Sequence, residues 1–155
     1  MTKKYPDLGL VISGRPDKQN LQIAELVRQR QAVNSNIVTP GFVSDEDLSA
    51  IYSAAEVYVH PSWYEGFGIM ILEAFASGVA VVTSNTSSLP EVVGDAGVLV
   101  DPKNTNELVE AIDKILGDEK LASELIQKGL DRVKQYSWRQ MAKQTLAVYR
   151  NAGHD

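Results

Sequence analysis

Two glutamates eight residues apart, Glu65 and Glu73, enclose the run Gly66-Phe67-Gly68-Ile69-Met70. A carboxylate accepts hydrogen bonds and repels phosphate, so such a pair suits the hydroxyl groups of a polyol. Glycines between them allow a backbone to approach a ligand closely. The apolar residues from Ile69 onward read as the start of a helix. Its first-turn N–H groups have no partner within the helix, and the dipole favours an anion at that end. Phosphate beside a polyol is the chemistry of a sugar nucleotide.

The flanking chain supplies the elements that must position these residues. Glu56-Val57-Tyr58-Val59-His60 is rich in β-formers and reads as a strand leading into the glycine loop. The helix then runs from Ile69 to Ser77, and Gly78 opens a strand over Val79 to Thr83. A short helix starts near Leu89-Pro90, where proline fits the first turn, and Val98 to Val100 makes a last strand. Upstream, Leu8 to Ser13 reads as a buried strand. A helix from about Lys18 to Val33 follows, with Leu21, Ala24, Leu26 and Val27 on its apolar side. Asn36 to Thr39 is a strand ended by Pro40-Gly41, and Ser44 is placed to cap a helix over Asp45 to Ala54. Alternating strands and helices predict an α/β fold with a parallel sheet covered on both faces.

The C-terminal part changes to three amphipathic helices, Asn104 to Leu116, about Glu119 to Tyr136, and Trp138 to Tyr149. Leu108, Ile112, Ile115 and Leu116 line one face of the first, and Leu121, Leu125, Ile126 and Leu130 one face of the second. Their period predicts core-packing helices that flank the sheet. There is no internal repeat, low-complexity segment or interdomain linker, so residues 1–155 read as one domain.

Composition narrows the function classes. The 44% hydrophobic and 23% charged fractions are those of an ordinary globule, and 155 residues bury roughly two-thirds of their unfolded surface. A net charge of −5 argues against nucleic acid or anionic membrane as a general partner. Any diphosphate must therefore be held by local groups. Without cysteine the chain has no disulfide and no thiolate metal site, which fits a reducing compartment. No apolar run reaches membrane-spanning length and no signal-peptide core follows Met1, so the cytoplasm is the expected location.

The segment from Pro61 to Gly78 resembles the donor-binding motif of family-4 retaining glycosyltransferases of the GT-B fold, with Glu-x7-Glu around a Gly-Phe-Gly loop. The likeness continues through Gly78-Val79-Ala80-Val81-Val82-Thr83-Ser84 and Ser87-Ser88-Leu89-Pro90-Glu91-Val92-Val93-Gly94-Asp95-Ala96-Gly97. It reaches back to Gly41-Phe42-Val43-Ser44-Asp45-Glu46-Asp47-Leu48. One Glu-x7-Glu is a weak signal, but four motifs in the family's order and spacing are a strong one. The resemblance implies a Rossmann-like parallel sheet, the C-terminal half of a GT-B fold lacking its first strand. It implies hexosyl transfer from a nucleoside-diphosphate sugar to a glycan or lipid-linked acceptor, as in polysaccharide biosynthesis, with no cofactor and no metal. The Ser87 to Gly97 string is most similar to mannosyltransferases that use GDP-mannose, with a UDP-sugar as the next candidate donor.

By the same resemblance, Glu73 accepts hydrogen bonds from the ribose hydroxyls. Glu65 positions the transferred sugar and supports an oxocarbenium-like transition state. Its alternative is a loop carboxylate that caps the following helix. Gly66, Phe67, Gly68, Ile69 and Met70 supply backbone N–H groups to the diphosphate and sugar, or form a tight strand-to-helix turn, and both hold together. Phe67 reads as a packing residue. Val43 matches a position whose backbone meets the base, against the alternative of a plain surface loop. Ser87 to Glu91 reads as structural, with Glu91 a first-turn helix acid. His60 reads as a hydrogen-bonded structural histidine and Arg15 as a solvated surface residue.

Two departures from the family pattern set further expectations. The acceptor-binding N-terminal domain has no counterpart in the 155 residues, nor has the first donor-domain strand with its arginine and following lysine. The chain is therefore expected to be a fragment, or a split or decayed gene product, that binds donor weakly and transfers poorly alone. An unpaired sheet edge beside Leu8 to Gly14 predicts self-association or pairing with a missing half. Peripheral contact with a membrane is compatible with a lipid-linked acceptor. A rival reading is a non-catalytic nucleotide-binding lobe that complements a separate N-terminal domain. An NAD(P) enzyme is disfavoured because no Gly-x-Gly-x-x-Gly follows the first strand, and a response regulator because paired N-terminal aspartates are missing.

Overall fold

A computed structural model describes residues 4–14 and 21–153. Arg15 and the expected helix start near Lys18 lie outside the described residues. The chain divides into two compact units, Met1–Ile51 and Tyr52–Asp155.

The first unit is a two-stranded parallel sheet with two helices. Strand β1 (Leu10–Ser13) pairs with β2 (Ile37–Gly41), Leu10 opposite Ile37 and Val11 opposite Val38, with α1 (Leu21–Val33) between them in sequence. The Gln31 side chain on α1 donates to the Ile37 carbonyl at 3.1 Å and to Thr39 Oγ1 at 3.0 Å, tying the helix to β2. Helix α2 (Asp45–Ser53) begins as its sequence predicts. Ser44 Oγ accepts from the Asp47 N–H at 3.2 Å and donates back to the Asp47 carboxylate at 2.8 Å. Tyr52 and Ser53 at its end open the second unit.

One expectation fails in this unit. Leu10, Val11 and Ile12 are 51, 49 and 40% exposed, so β1 is no buried strand. The physical reason is its surroundings. Among the described residues it has one strand neighbour, and α1 buries none of its own.

The second unit carries the core. Its sheet has the order β3 (Val57–His60), β4 (Ala80–Ser84), β5 (Val98–Val100), all parallel. Central β4 is buried at every position. Ala80, Val82 and Val100 pack against Ala111 and Ile115 of α5 (Thr105–Gly117) and Leu125 of α6 (Glu119–Val133). Helix α6 also lies close to α3 (Ile69–Ala76): a Cβ on buried Gly129 would come within 2.5 Å of the Phe75 ring. Asn104, Asp118 and Ser137 cap α5, α6 and α7 (Trp138–Ala152), each side chain accepting from an N–H three residues on.

The fold class is as the sequence predicts, parallel sheets flanked by helices, but the strands form two sheets and only the second is well covered. Helix α7 is a further correction, because it buries no residue and leaves Trp138, Val148 and Tyr149 exposed. Its period identifies an apolar face without identifying anything to cover it. Among the described residues no helix is long and apolar enough to cross a membrane.

Candidate functional site

The site is built where β3 ends and α3 begins. Residues 61–68 connect them, and Gly68 stands as the N-cap of α3 in the left-handed region at φ 96°. A Cβ there would meet the Leu89 side chain at 2.8 Å, so both conformation and space call for glycine. Gly68 has no side chain to cap the helix, and Ile69 and Met70 in the first turn are 46 and 37% exposed. The end of α3 therefore presents uncapped backbone donors at the surface.

A set of hydroxyls fixes the loop. Thr86 Oγ1 donates to the Trp63 carbonyl at 3.2 Å, and Ser88 Oγ to the carbonyls of Glu65 and Phe67, both at 3.0 Å. Ser87 Oγ accepts from the Glu65 N–H at 3.0 Å. Ser87 is also the one non-glycine residue among those described with a positive φ, 52°. The segment after β4 thus holds the Glu65 loop.

Both glutamates are held by other side chains. Glu65 Oε1 lies 2.9 Å from His60 Nε2, and the two side chains are 26 and 15% exposed. Glu65 does not cap α3. His60 Nδ1 is 3.3 Å from the Tyr58 hydroxyl, with the two rings stacked at 6.0 Å. Tyr58 meets Tyr52 edge-on at 5.2 Å, and the Tyr52 hydroxyl donates to Glu73 Oε2 at 3.2 Å. Burial, followed by the nearby Tyr58 and the Glu73 charge, pushes the Tyr52 phenol well above its ordinary value. Burial likewise raises Tyr58. Both phenols are therefore neutral at physiological pH.

Glu65, Gly66, Phe67, Gly68, Ile69, Met70 and Glu73 thus come together within the second unit. Val43 belongs to the first unit, half-buried in the turn between β2 and α2. Phe67 packs edge-on against Tyr136 at 5.8 Å, the packing role its sequence suggests, while remaining 46% exposed. The histidine is hydrogen-bonded, as expected of it. Sequence reasoning missed that its partner is Glu65, and missed Tyr52 and Tyr58 altogether. Alternation on β3 was the available signal, since Tyr58 and His60 share one face of the strand. Among the described residues no group of three or more acidic or histidine side chains is placed to hold a metal.

Comparison with known proteins bears out the family resemblance and the fold class. The chain is 41% identical over 147 residues to O-antigen chain mannosyltransferase B of Escherichia coli, covering 95% of the chain and 38% of that protein. Its fold superposes on sucrose-phosphate synthase from Thermosynechococcus elongatus with a TM-score of 0.80 and 34% identity, over 92% of this chain and 38% of that one. The C-terminal domain of a glycosyl transferase group 1 family protein (LpcC) from Francisella tularensis gives 0.77 and 31%, over 86% of this chain and 72% of that one. The chain thus spans under half the length of the mannosyltransferase and the synthase. The family described as "Glycosyl transferases group 1" matches residues 1–132, and the chain belongs to that family.

Proposed function

We propose that this chain binds the donor of a retaining glycosyl transfer, a nucleoside-diphosphate hexose, and supplies the donor side of the reaction. The observation that carries the reading is the pair of fixed carboxylates, Glu65 and Glu73, beside the uncapped start of α3. In this reading the diphosphate takes backbone N–H groups from Gly66 to Met70. Glu73 accepts from the ribose hydroxyls, and each charged hydrogen bond sheltered from water contributes about 1.5–3 kcal/mol.

Glu65 then faces the hexose. As the bond from the anomeric carbon to the donor phosphate breaks, positive charge develops on the ring, and a carboxylate held in place stabilises it without reorganising. The acceptor hydroxyl oxygen forms the new bond on the face the phosphate leaves and gives its proton to the departing phosphate oxygen, which retains the configuration. Similarity to the O-antigen mannosyltransferase favours GDP-mannose as the donor, with a UDP-sugar second. The acceptor is a glycan or a lipid-linked glycan, no cofactor takes part, and peripheral contact with a membrane fits such an acceptor.

Calorimetric titration with GDP, UDP, GDP-mannose and UDP-glucose tests the reading. We expect saturable binding of one nucleotide and its sugar, weakened about tenfold or more by Glu73→Ala. Binding of none of the four by the folded chain overturns it.

A further inference from the structure

We infer that His60 is a positioning residue for the Glu65 carboxylate, and that Tyr58 and Tyr52 join it to Glu73 so that the two glutamates are set by one bridge of side chains. The inference rests on the donor-binding reading above and adds three residues to it. An ionised carboxylate only accepts, so the hydrogen in the 2.9 Å contact between His60 and Glu65 belongs to Nε2. With the ring's one hydrogen on Nε2, Nδ1 is left to accept from the Tyr58 hydroxyl at 3.3 Å. The bond from Tyr58 fixes the tautomer that serves Glu65, in the way a partner on one ring nitrogen sets the role of the other.

The bridge is anchored at both ends in regular structure. His60 lies on β3, and Thr83 Oγ1 of β4 donates to its backbone carbonyl at 2.7 Å. At the other end Tyr52 on α2 is buried and holds Glu73 on α3. Glu65, by contrast, sits on a loop with its side chain 26% exposed. A loop carboxylate unsupported by another side chain samples several rotamers. One bonded to a half-buried imidazole is confined to a single direction before any sugar arrives.

The bridge separates two readouts that ordinary structural damage moves together. In the donor-binding reading Glu73 meets the nucleotide and Glu65 meets the sugar. Loss of the His60 donor is therefore felt by a nucleotide sugar and not by the bare nucleotide. The experiment compares GDP-mannose with GDP, and UDP-glucose with UDP, on the wild-type chain, His60→Phe, His60→Gln and Tyr58→Phe. In whichever pair the wild type binds, His60→Phe is expected to weaken the nucleotide sugar about tenfold while leaving the nucleotide within about twofold. His60→Gln keeps an N–H donor near the Nε2 position and is expected to restore most of the loss. Tyr58→Phe gives a smaller loss in the same direction.

Equal weakening of sugar and nucleotide by His60→Phe, or no weakening of either, overturns the inference while leaving the donor-binding reading intact. A wild-type chain that binds neither pair overturns that reading and this inference with it. Imidazole nitrogen resonances provide a ligand-free measurement. We expect His60 with Nε2 protonated and displaced resonances in Glu65→Gln. Resonances unchanged by Glu65→Gln overturn the inference whatever the titrations give.

Discussion

Strands β1 and β4 read alike, Leu-Val-Ile-Ser and Ala-Val-Val-Thr-Ser, yet β1 is exposed along its length and β4 is buried along its length. Both consist largely of residues that favour strands. The difference lies in their neighbours. β4 has a strand on either side and helices α3, α5 and α6 packed on it, whereas among the described residues β1 has one strand neighbour, β2. Helices α6 and α7 repeat the contrast at equal length, 15 residues each with an N-terminal side-chain cap, one buried against the core and one not. An apolar pattern in a sequence thus identifies a surface that requires cover. It does not say which element provides it.

The contrast predicts unequal responses to equal changes. Phe75→Ala, which removes a fully buried ring packed beside Gly129, is expected to cost about 3–5 kcal/mol in urea unfolding. Val11→Ala on β1 is expected to stay within about 0.5 kcal/mol. A Val11→Ala cost as large as that of Phe75→Ala would break the comparison. The helix caps sharpen it at smaller scale. Asp118→Ala removes an acceptor for the Leu121 N–H at the start of core-packed α6, and a loss of about 1 kcal/mol in global stability is expected. Ser137→Ala removes the same bond from α7, and there faster amide exchange within that helix is expected, with little change in the unfolding midpoint.

The smallest effect is electrostatic and lies on the exposed side of the second unit. The Lys128 ammonium, 2.9 Å from Asp95, holds that carboxyl below its ordinary value of 3.8. A depressed folded value gives a contribution that is present above the unfolded value and lost as pH falls through the folded one. Solvent and salt screen so exposed a pair. Carboxyl NMR titration of Asp95 should therefore show a low midpoint that returns toward 3.8 in Lys128→Met, with no resolvable change in unfolding.

Much of this arrangement was legible before the structure. β5 has the expected bounds, β3 starts one residue later than the Glu56 start, β4 is one residue later than expected, and α3 one residue shorter. Local rules suffice for such features, because a cap, a glycine or a run of β-branched residues acts within a few positions. The family was legible for the same reason, since its motifs are continuous in the chain. The Tyr52–Glu73 bond was not, because its members are 21 residues apart and on different helices. The hydroxyl contacts of Ser87 and Ser88 to the Glu65 loop likewise span 21 to 23 residues, and nothing local marks their targets. Burial of β1 and α7 was misread because cover is a property of the neighbours.

Ser87 carries a consequence for when the cost of order is met. Its backbone sits at φ 52°, where a residue with a Cβ is strained by about 1 kcal/mol or more, while its hydroxyl accepts from the Glu65 N–H. A glycine at that position would relieve the backbone and remove one of the hydroxyl bonds that hold the loop. The serine instead confines residues beside Glu65 during folding, so their conformational entropy has already been surrendered when a ligand arrives.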